Sequence, residues 1–303
     1  SRAEGPIVDL IEAELRAQAH LDVTRVGDNL VARTSLGRLH RVVLAGHTDT
    51  VPTADNGTAR IEGGRLFGVG SADMKGGLAV MLELAATLTE PVVDLTFVFY
   101  AREEIASAES GLGELFDARP DLLVGDIAIL GEPTDARIEA GCQGTLRLRV
   151  QLQGVRAHTA RPWMGRNAVH RLAGVLAALD SYEARSPIID GCQFREALQA
   201  VAIDGGVSGN VVPDSASVTV NFRFAPDRSA LDAETHIREL FAPFLEEGDV
   251  VDVLDVANAA APGLNHPLLA SLVERSGSEV LAKLGWTDVA RFAAHGVPAV
   301  NFG

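Results

Sequence analysis

The first 143 residues alternate between short apolar runs and longer amphipathic stretches. The apolar runs are continuous, which is typical of strands that are buried on both faces. Such strands are predicted at residues 41–45, 91–100 and 126–130. Apolar residues at helical spacing predict helices at residues 7–19, 74–88 and 108–115. Alternating strands and helices indicate an α/β fold with a mainly parallel sheet and helices on both of its faces.

Two further details follow from the same pattern. In the first predicted helix, Ile7, Leu10, Ile11 and Leu15 are spaced to form its apolar face. A hairpin is predicted at residues 21–33, where two apolar runs flank a glycine-containing turn.

The pattern changes near Gly144, where residues 145–153 alternate strictly between apolar and polar side chains. Strict alternation predicts a strand with only one buried face. The predicted order from here is β-α-β-β-α-β, which is typical of a ferredoxin-like α+β domain. Its later elements are predicted at residues 167–179, 200–204, 217–224, 231–244 and 250–256. Residues 167–179 and 231–244 are predicted to be its two helices. The apolar side of the helix at 167–179 consists of Val169, Leu172, Val175, Leu176 and Leu179.

A helix at residues 267–284 and a strand at 299–302 then resume the earlier pattern. The second domain is therefore predicted to be inserted into the first. The predicted boundaries are residues 1–143 and 258–303 for the discontinuous domain, and residues 144–257 for the insertion.

Composition narrows the classes of function. The 303 residues carry a net charge of −15, which argues against nucleic acid and anionic membrane surfaces as partners. No apolar run approaches the length of about 18 residues that a membrane span needs. The start of the chain has no signal-peptide pattern, and two cysteines do not form a disulfide framework, so a cytoplasmic location is expected.

Titratable side chains follow the three apolar strands at the point where each strand ends. They are His47 and Asp49, then Glu103 and Glu104, then Glu132, with Asp73 just ahead of a predicted helix. A parallel sheet collects such ends on one edge. So many carboxylates in one cleft would raise each other's pKa values unless a cation lay among them. Histidine with carboxylates suits catalytic Zn²⁺, singly or as a pair.

Four short motifs occur in a fixed order: HTDTVP, SADMKGG, REE and GEPT. In combination they resemble the M20 metallopeptidase and deacylase family of dinuclear zinc amidohydrolases. The resemblance extends from about Asp9 to the last residue. It implies a zinc-hydrolase catalytic domain with an inserted lid, and a homodimer joined through the lids.

The resemblance also implies roles for the residues at the strand ends. Asp73 would bridge two zinc ions, His47 and Glu132 would complete one metal site, and Glu104 would bind the other metal. Asp49 would orient the histidine ring. Glu103 resembles the general base, which takes a proton from the attacking water and returns it to the leaving amine. His158 resembles a histidine that stabilises the oxyanion in a partner subunit's active site.

Substrate contacts are expected from three more positions that resemble the family: Asn210, Arg223 and Thr287. Thr287 lies with Asp288 in the segment GWTDVARF. Because the whole chain is negative, a small anionic N-acyl amino acid would need local cations, and arginine suits carboxylate binding. Arg223 is the strongest such candidate, whereas Arg156 and Arg166 are interpreted as solvated surface.

The softer motifs GNVVPD, NFRF and GWTDVARF favour one reaction within the family. This is hydrolysis of N-succinyl-L,L-diaminopimelate to succinate and L,L-diaminopimelate. Deacetylation of acetylornithine, or hydrolysis of another N-acyl amino acid, stays an alternative, and so does a metal-free binding protein on the same scaffold. An aspartic-type hydrolase explains the His47-x-Asp49 pair less well.

One departure from the family bears on the metals. The family has its last zinc-binding histidine shortly after a segment like AVNFG, whereas this sequence ends at Gly303. Two zinc ions per subunit are expected for the family, with Co²⁺ as a possible substitute, and one or none for the residues present here.

Overall fold

A computed structural model describes residues 2–303, which fold into two compact units. The first unit comprises the chain up to Gly141 together with Ala261–Lys283 and Thr287–Gly303. The second comprises Cys142–Ala260 and Leu284–Trp286. These limits lie close to the predicted boundaries, residues 1–143 and 258–303 around 144–257. The functional roles assigned to the two domains stay predictions.

The helices and strands are numbered here in chain order. The α-helices are α1 (Gly5–Arg16), α2 (Gly76–Thr87), α3 (Gly111–Ala118), α4 (Ala168–Asp180), α5 (Ala230–Phe241), α6 (Pro267–Ser276) and α7 (Val289–Ala294). The strands are β1 (Asp22–Val26), β2 (Asn29–Arg33), β3 (Arg41–His47), β4 (Arg60–Glu62), β5 (Arg65–Phe67), β6 (Asp94–Tyr100), β7 (Ile127–Leu130), β8 (Ile138–Ala140), β9 (Gly144–Gln153), β10 (Ala157–His158), β11 (Ile188–Ile189), β12 (Cys192–Gln193), β13 (Ala197–Gly205), β14 (Val211–Val212), β15 (Ser215–Phe224), β16 (Val250–Ala257), β17 (Val280–Ala282) and β18 (Ala299–Asn301).

An eight-stranded sheet forms the centre of the first unit, in the order β1-β2-β6-β3-β7-β18-β8-β17. The four central strands β6, β3, β7 and β18 are parallel to one another. The hairpin β1-β2 adds to one side in antiparallel fashion, and β8 is antiparallel to β18. The predicted α/β class with a mainly parallel sheet is confirmed. The carboxyl ends of the three predicted strands therefore share one edge.

Helices α1 and α2 pack on this sheet through apolar side chains. Val8, Ile11 and Leu15 form the buried face of α1. The prediction that Leu10 belongs to this face was wrong, because Leu10 is 63% exposed and Val8 takes that place in the periodic pattern. The core also contains Leu30, Ala32, Met74, Leu78, Met81, Ala85, Leu95, Phe97 and Phe99.

The segment that carries Asp73 precedes α2. The predicted helix over residues 74–88 begins only at Gly76, because Asp73 and Met74 have non-helical backbone angles. Gly77 lies very close to Gly131, the residue that follows β7. A Cβ atom on Gly77 would lie 2.3 Å from the carbonyl oxygen of Gly131. This close approach seats the start of α2 against the end of β7.

The second unit contains a four-stranded antiparallel sheet in the order β13-β15-β9-β16. This order, with α4 and α5 as its helices, has the predicted ferredoxin-like connectivity. The predicted alternation is confirmed in β9 and β15, whose apolar residues are buried. The core of this unit includes Leu146, Leu148, Val150, Leu172, Val175, Val218, Val220, Phe222, Ile237 and Phe241. Val169, which was predicted on the apolar side of α4, is 38% exposed.

The region after β16 differs from the prediction. The helix predicted over residues 267–284 ends at Ser276, because Gly277 adopts a left-handed conformation with φ of 62°. The chain then forms β17, and later α7, neither of which was predicted. Within residues 2–303, no helix combines the length and apolar character needed to cross a bilayer.

The core of the second unit supplies a stability prediction. Ile237 on α5 is fully buried, so Ile237→Ala is expected to lower the free energy of unfolding by about 2–5 kcal/mol. Leu231 on the same helix is 72% exposed, so Leu231→Ala is the matched control and should change it little. Urea denaturation followed by circular dichroism measures both. Equal effects of the two variants would contradict the assigned core.

Candidate active site and metal centre

The ends of three parallel strands bring the predicted site residues together. His47 is the last residue of β3 and pairs in register with Tyr100, the last residue of β6. Leu130, at the end of β7, pairs with Ala45 of β3. The strand β3 is two residues longer than predicted, so His47 extends from the sheet itself.

The imidazole of His47 lies between two carboxylates. Its Nε2 atom is 3.1 Å from Oδ1 of Asp73 and 4.0 Å from Oε1 of Glu132. The candidate ligand atoms of these three residues lie within 4.8 Å of one another. His47 and Glu132 are buried, whereas the Asp73 side chain is half exposed. The three residues predicted for one metal site thus lie around one point, which we call the His47-Asp73-Glu132 group.

A second group with equally close ligand atoms contains His47, Glu103 and Glu104. The predicted general base and the predicted ligand of the second metal therefore lie side by side. Asp73 and Glu104 fall in different groups. The structure brings both glutamates to the histidine, and the predicted division of labour between them stays a prediction.

Asp49 contacts both of these groups. The Nδ1 atom of His47 is 3.2 Å from the backbone oxygen of Asp49 and 3.5 Å from its Oδ1 atom. The Asp49 carboxylate accepts hydrogen bonds from the backbone N–H groups of Glu103, at 2.9 Å, and Glu104, at 3.2 Å. Sequence reasoning assigned Asp49 to the histidine ring and missed its contacts to the glutamate pair.

Charge determines the protonation of the imidazole. Burial of His47 disfavours its charged form, but hydrogen bonds to Asp49 and Asp73 and the charge of Glu132 outweigh burial and raise its pKa to about 11. The hydrogen bond from His47 in turn lowers the pKa of Asp73. Without a cation, the site therefore holds a protonated imidazole against a carboxylate.

Two glutamates of the site, Glu103 and Glu132, have a pKa shift opposite to that of Asp73. Burial, reinforced by the charge of Asp288, raises the pKa of Glu103 to about 8. Burial also raises the pKa of Glu132 to about 7, against the attraction of His47. Carboxyl groups that titrate near neutral pH are suited to proton transfer or to neutralisation by a cation.

One buried atom tests whether the residues present fit a metal ion. Oε1 of Glu132 is buried and has no hydrogen-bond partner among the described residues. A buried carboxylate oxygen is normally hydrogen-bonded or bound to a cation. This oxygen faces the His47-Asp73-Glu132 group, whose nitrogen and oxygen donors suit Zn²⁺ and related divalent ions. The residues present therefore fit a divalent cation.

Asp288 is a site residue to which sequence reasoning gave no role of its own. It is fully buried just before α7, next to the predicted substrate residue Thr287, which is also buried. Its Oδ1 atom accepts a hydrogen bond of 2.7 Å from Arg291, and its carboxylate interacts with the hydroxyl of Tyr100. Only the i, i+3 spacing of Asp288 and Arg291 in GWTDVARF was a signal for this pair.

The second unit contains the other predicted contacts. His158 in β10 is exposed and pairs with Val211 of β14. The neighbouring Thr159 donates its backbone N–H to the carbonyl of Asn210 at 3.0 Å, so the two predicted residues belong to adjoining segments.

Arg223 on β15 is half-buried, and burial lowers the pKa of its guanidinium. No ion pair of Arg223 is found in the part of the chain that the structure describes, which spans residues 2–303. By contrast, Arg156 pairs with Asp214 at 2.9 Å, and Arg166 pairs with Glu246. Arg223 therefore differs from Arg156 and Arg166, whose guanidinium groups form ion pairs at the surface.

Comparison with known proteins identifies the relatives of this chain. The sequence pattern of peptidase family M20/M25/M40 matches residues 43–303. A protein of Mycobacterium tuberculosis H37Rv, provisionally named a succinyl-diaminopimelate desuccinylase, is 55% identical over all of this chain and 85% of its own length. The succinyl-diaminopimelate desuccinylase of Corynebacterium glutamicum is 46% identical over all of this chain and 84% of its own length.

Solved structures show the same fold at lower identity. A tripeptidase of Staphylococcus aureus superposes with a TM-score of 0.78 at 20% identity, covering 98% of this chain and 83% of that one. A protein of Bacillus subtilis described as a dinuclear metal-binding M20 peptidase superposes with a TM-score of 0.64 at 14% identity, covering 98% of this chain and 81% of that one. With the matched pattern over residues 43–303 and these relatives, the chain belongs to peptidase family M20/M25/M40.

Proposed function

We propose that this chain is a zinc-dependent amidohydrolase that cleaves N-succinyl-L,L-diaminopimelate to succinate and L,L-diaminopimelate. The observation that carries the proposal is the His47-Asp73-Glu132 group, with the unpartnered Oε1 atom of Glu132 directed at it. The names of the two bacterial relatives support this substrate over other N-acyl amino acids.

The ligands are proposed on geometry and on the resemblance together. His47, Asp73 and Glu132 would hold one zinc ion, and Glu104, together with Asp73, would hold the second ion that the family contains where it is present. When bound, zinc polarises the amide carbonyl and makes water more acidic. The half-exposed Asp73 and the buried Glu132 would together neutralise its charge.

Glu103 is the proposed general base. Without a cation, burial raises its pKa to about 8, and a carboxyl group in this position can both accept and return a proton. The Glu103 carboxylate would take a proton from the attacking water and give it to the leaving amine. Asp49 holds the backbone of this residue, and so it contributes to catalysis by orientation.

The proposed substrate contacts supply hydrogen bonds and positive charge. Arg223, which has no ion pair in residues 2–303, would bind a carboxylate of the substrate, and Asn210 and Thr287 would orient it. His158 would donate a hydrogen bond to the developing oxyanion in the active site of a partner subunit. These four roles rest on the resemblance to the family and on the exposure of His158.

The proposed function makes metal binding depend on pH. Since the pKa of His47 is about 11 without a cation, zinc must displace a proton from Nε2. Zinc affinity is therefore expected to rise with pH between 6 and 9, by about tenfold per pH unit for each proton displaced. Calorimetric titration in buffers of different protonation enthalpy measures the protons released.

The matched control for this prediction is a second histidine. His40 lies near Asp126, just before the amino-terminal end of β3, and so it is at the opposite end of this strand from His47. His40→Ala should leave the proton release unchanged, whereas His47→Ala should reduce it. Proton release that is the same in the wild type and in His47→Ala would contradict the assigned ligand.

The proposed substrate is tested by comparing two substrates in separate assays. Protein loaded with zinc is incubated with N-succinyl-L,L-diaminopimelate and, separately, with acetylornithine, and release of the amine is measured. A higher kcat/KM for the succinyl substrate is expected. Equal or faster turnover of acetylornithine would reject the proposed substrate, and absence of bound metal after dialysis would favour a metal-free binding protein.

We also propose a homodimer through the second unit. Strand β13 is an edge strand, and its Val201 and Ile203 side chains are 56% and 58% exposed. An exposed edge with apolar side chains is prone to pair with another chain. Analytical ultracentrifugation should show a dimer, and Val201→Lys should weaken it; a monomer in the wild type would contradict the proposal.

A further inference from the structure

The segment Ala101–Glu104 leaves the sheet directly after β6 and carries the proposed general base Glu103 and the proposed metal ligand Glu104. It forms no strand, so its backbone groups need partners other than the sheet. Side chains from several elements of the first unit supply these partners. We call the side chains of Asn29, Glu114 and Asp49, together with that of Arg102 in the segment itself, the glutamate bracket.

Asn29 holds the first residue of the segment. It is fully buried at the start of β2, and its Oδ1 atom accepts a hydrogen bond of 3.0 Å from the backbone N–H of Ala101. Its amide nitrogen donates to the carbonyl of Val26 at 3.0 Å and to Oε2 of Glu114 at 3.1 Å. Both the oxygen and the nitrogen of the Asn29 side-chain amide are therefore hydrogen-bonded, and the oxygen binds the backbone of Ala101.

A glycine allows this contact. The backbone N–H of Gly111, at the start of α3, donates to the carbonyl of Ala101 at 2.8 Å. A Cβ atom on Gly111 would lie 2.1 Å from Oδ1 of Asn29 and 2.5 Å from the carbonyl oxygen of Ala101. No larger residue fits there without moving the backbone of Ala101.

Arg102 is held in a conformation that side chains rarely adopt. Its φ angle is 63°, in the left-handed region. Its guanidinium donates to Oε2 of Glu114 at 2.6 Å and to the backbone oxygen of Glu109 at 2.8 Å. Oε2 of Glu114 thus accepts from both Asn29 and Arg102, and it joins the two contacts into one network.

The next two residues complete the bracket, because Asp49 accepts the backbone N–H groups of Glu103 and Glu104. Backbone or side-chain groups of all four residues in the segment therefore bind a partner outside it. We propose that Asn29 and Glu114 are positioning residues for hydrolysis, acting through Ala101 and Arg102 on the orientation of Glu103 and Glu104. This inference rests on the proposed function.

The expected consequence is a defect in turnover rather than in binding. Neither Asn29 nor Glu114 is among the residues proposed to touch substrate. A displacement of a catalytic group by about 1 Å costs on the order of 10²-fold in rate. Loss of the bracket should therefore lower kcat by about 10–100-fold while KM changes by less than about threefold.

The test uses variants of graded severity. Glu114→Ala removes the shared acceptor from a side chain that is 42% exposed, so folding should survive. Glu114→Gln keeps an oxygen acceptor and should restore part of kcat. Asn29→Asp keeps the acceptor for Ala101 but replaces the donor with an oxygen that faces Glu114. The matched control is Arg119→Ala, which removes an exposed ion pair with Asp121 just after α3.

Hydrogen–deuterium exchange of the peptide that contains residues 101–104 is measured beside kcat and KM. Faster exchange confined to this peptide, with reduced kcat and rescue by Glu114→Gln, supports the proposal. Unchanged exchange in Glu114→Ala and Asn29→Asp overturns it. So does an unchanged kcat, or a loss of kcat that merely follows a lower melting temperature.

The same data separate this inference from the proposed function. If wild-type protein with zinc hydrolyses no N-acyl amino acid, the proposed function fails, while the exchange measurement still decides whether the bracket holds the segment. If the wild type is active and the bracket variants are as active as Arg119→Ala, the proposed function stands and the positioning role is rejected.

Discussion

Glu103→Gln is expected to lower kcat by about 10²–10⁴-fold, the range that a general base contributes. Glutamine has nearly the same shape but cannot take a proton from water. The backbone hydrogen bond from residue 103 to Asp49 is retained, so the segment should keep its conformation. Zinc content should change little, because His47, Asp73 and Glu132 are unaltered. Steady-state kinetics and elemental analysis of the dialysed variant measure the two effects.

The matched control lies in the same loop. Glu109 is an exposed glutamate whose side chain pairs with Arg2 at 2.7 Å. Glu109→Gln should leave kcat within about twofold of the wild type, as expected for an exposed ion pair. A Glu103→Gln variant that keeps more than one-tenth of the wild-type kcat would remove Glu103 from the role of general base.

Asp73→Asn is expected to reduce both the affinity for zinc and the activity, each by at least about 100-fold, since even residues behind metal ligands contribute 10–100-fold. Asp73 is the carboxylate nearest to Nε2 of His47, at 3.1 Å, and the proposed bridge between two ions. The amide keeps the size of the side chain but removes its charge. Zinc content after dialysis and the kcat at saturating zinc measure the effect.

A second aspartate nearby serves as the control. Asp55 lies in the exposed loop between β3 and β4, and Asp55→Asn should bind zinc like the wild type. The pKa of His47 gives an independent readout, because Asp73 is one of the groups that raise it. In Asp73→Asn without metal, the pKa of His47 should fall, which histidine NMR titration detects. Full zinc content in Asp73→Asn would contradict the assigned ligand.

The local pattern along the chain was sufficient to predict the α/β class and the strands that carry the site. Continuous apolar runs mark strands buried on both faces, and β6 is buried along its whole length. Strict alternation marks strands with one buried face, as in β9 and β15. These predictions succeed because successive side chains of a strand point to opposite faces, so the order of apolar and polar residues shows which faces are buried.

The ends of helices were predicted less well. The helix α2 begins after Met74, and α6 stops at Ser276. Both positions depend on the backbone angles of single residues, which apolar periodicity does not report. The short strands β8 and β17 were missed for a related reason: three residues are too few to show a period, and only pairing within the sheet makes them strands.

The residues of the candidate site also include some that could be predicted from the sequence and some that could not. Residues at strand ends, such as His47 and Glu132, could be found from sequence because the carboxyl ends of parallel strands meet. Asn29, Glu114 and Asp288 could not, because the residues they contact are distant in the chain or become neighbours only after folding. Asn29, for example, is 72 positions from Ala101, to which it is hydrogen-bonded.

The sequence alone determined which side chains this protein has available for chemistry and which strands deliver them, since both follow from residue type and short-range period. Tertiary structure alone decided how these side chains are charged and held. The pKa of His47 near 11, and of Glu103 near 8, arise from burial and from neighbours brought by other strands. Burial and long-range contacts are properties of the packed chain, and no local window of sequence contains them.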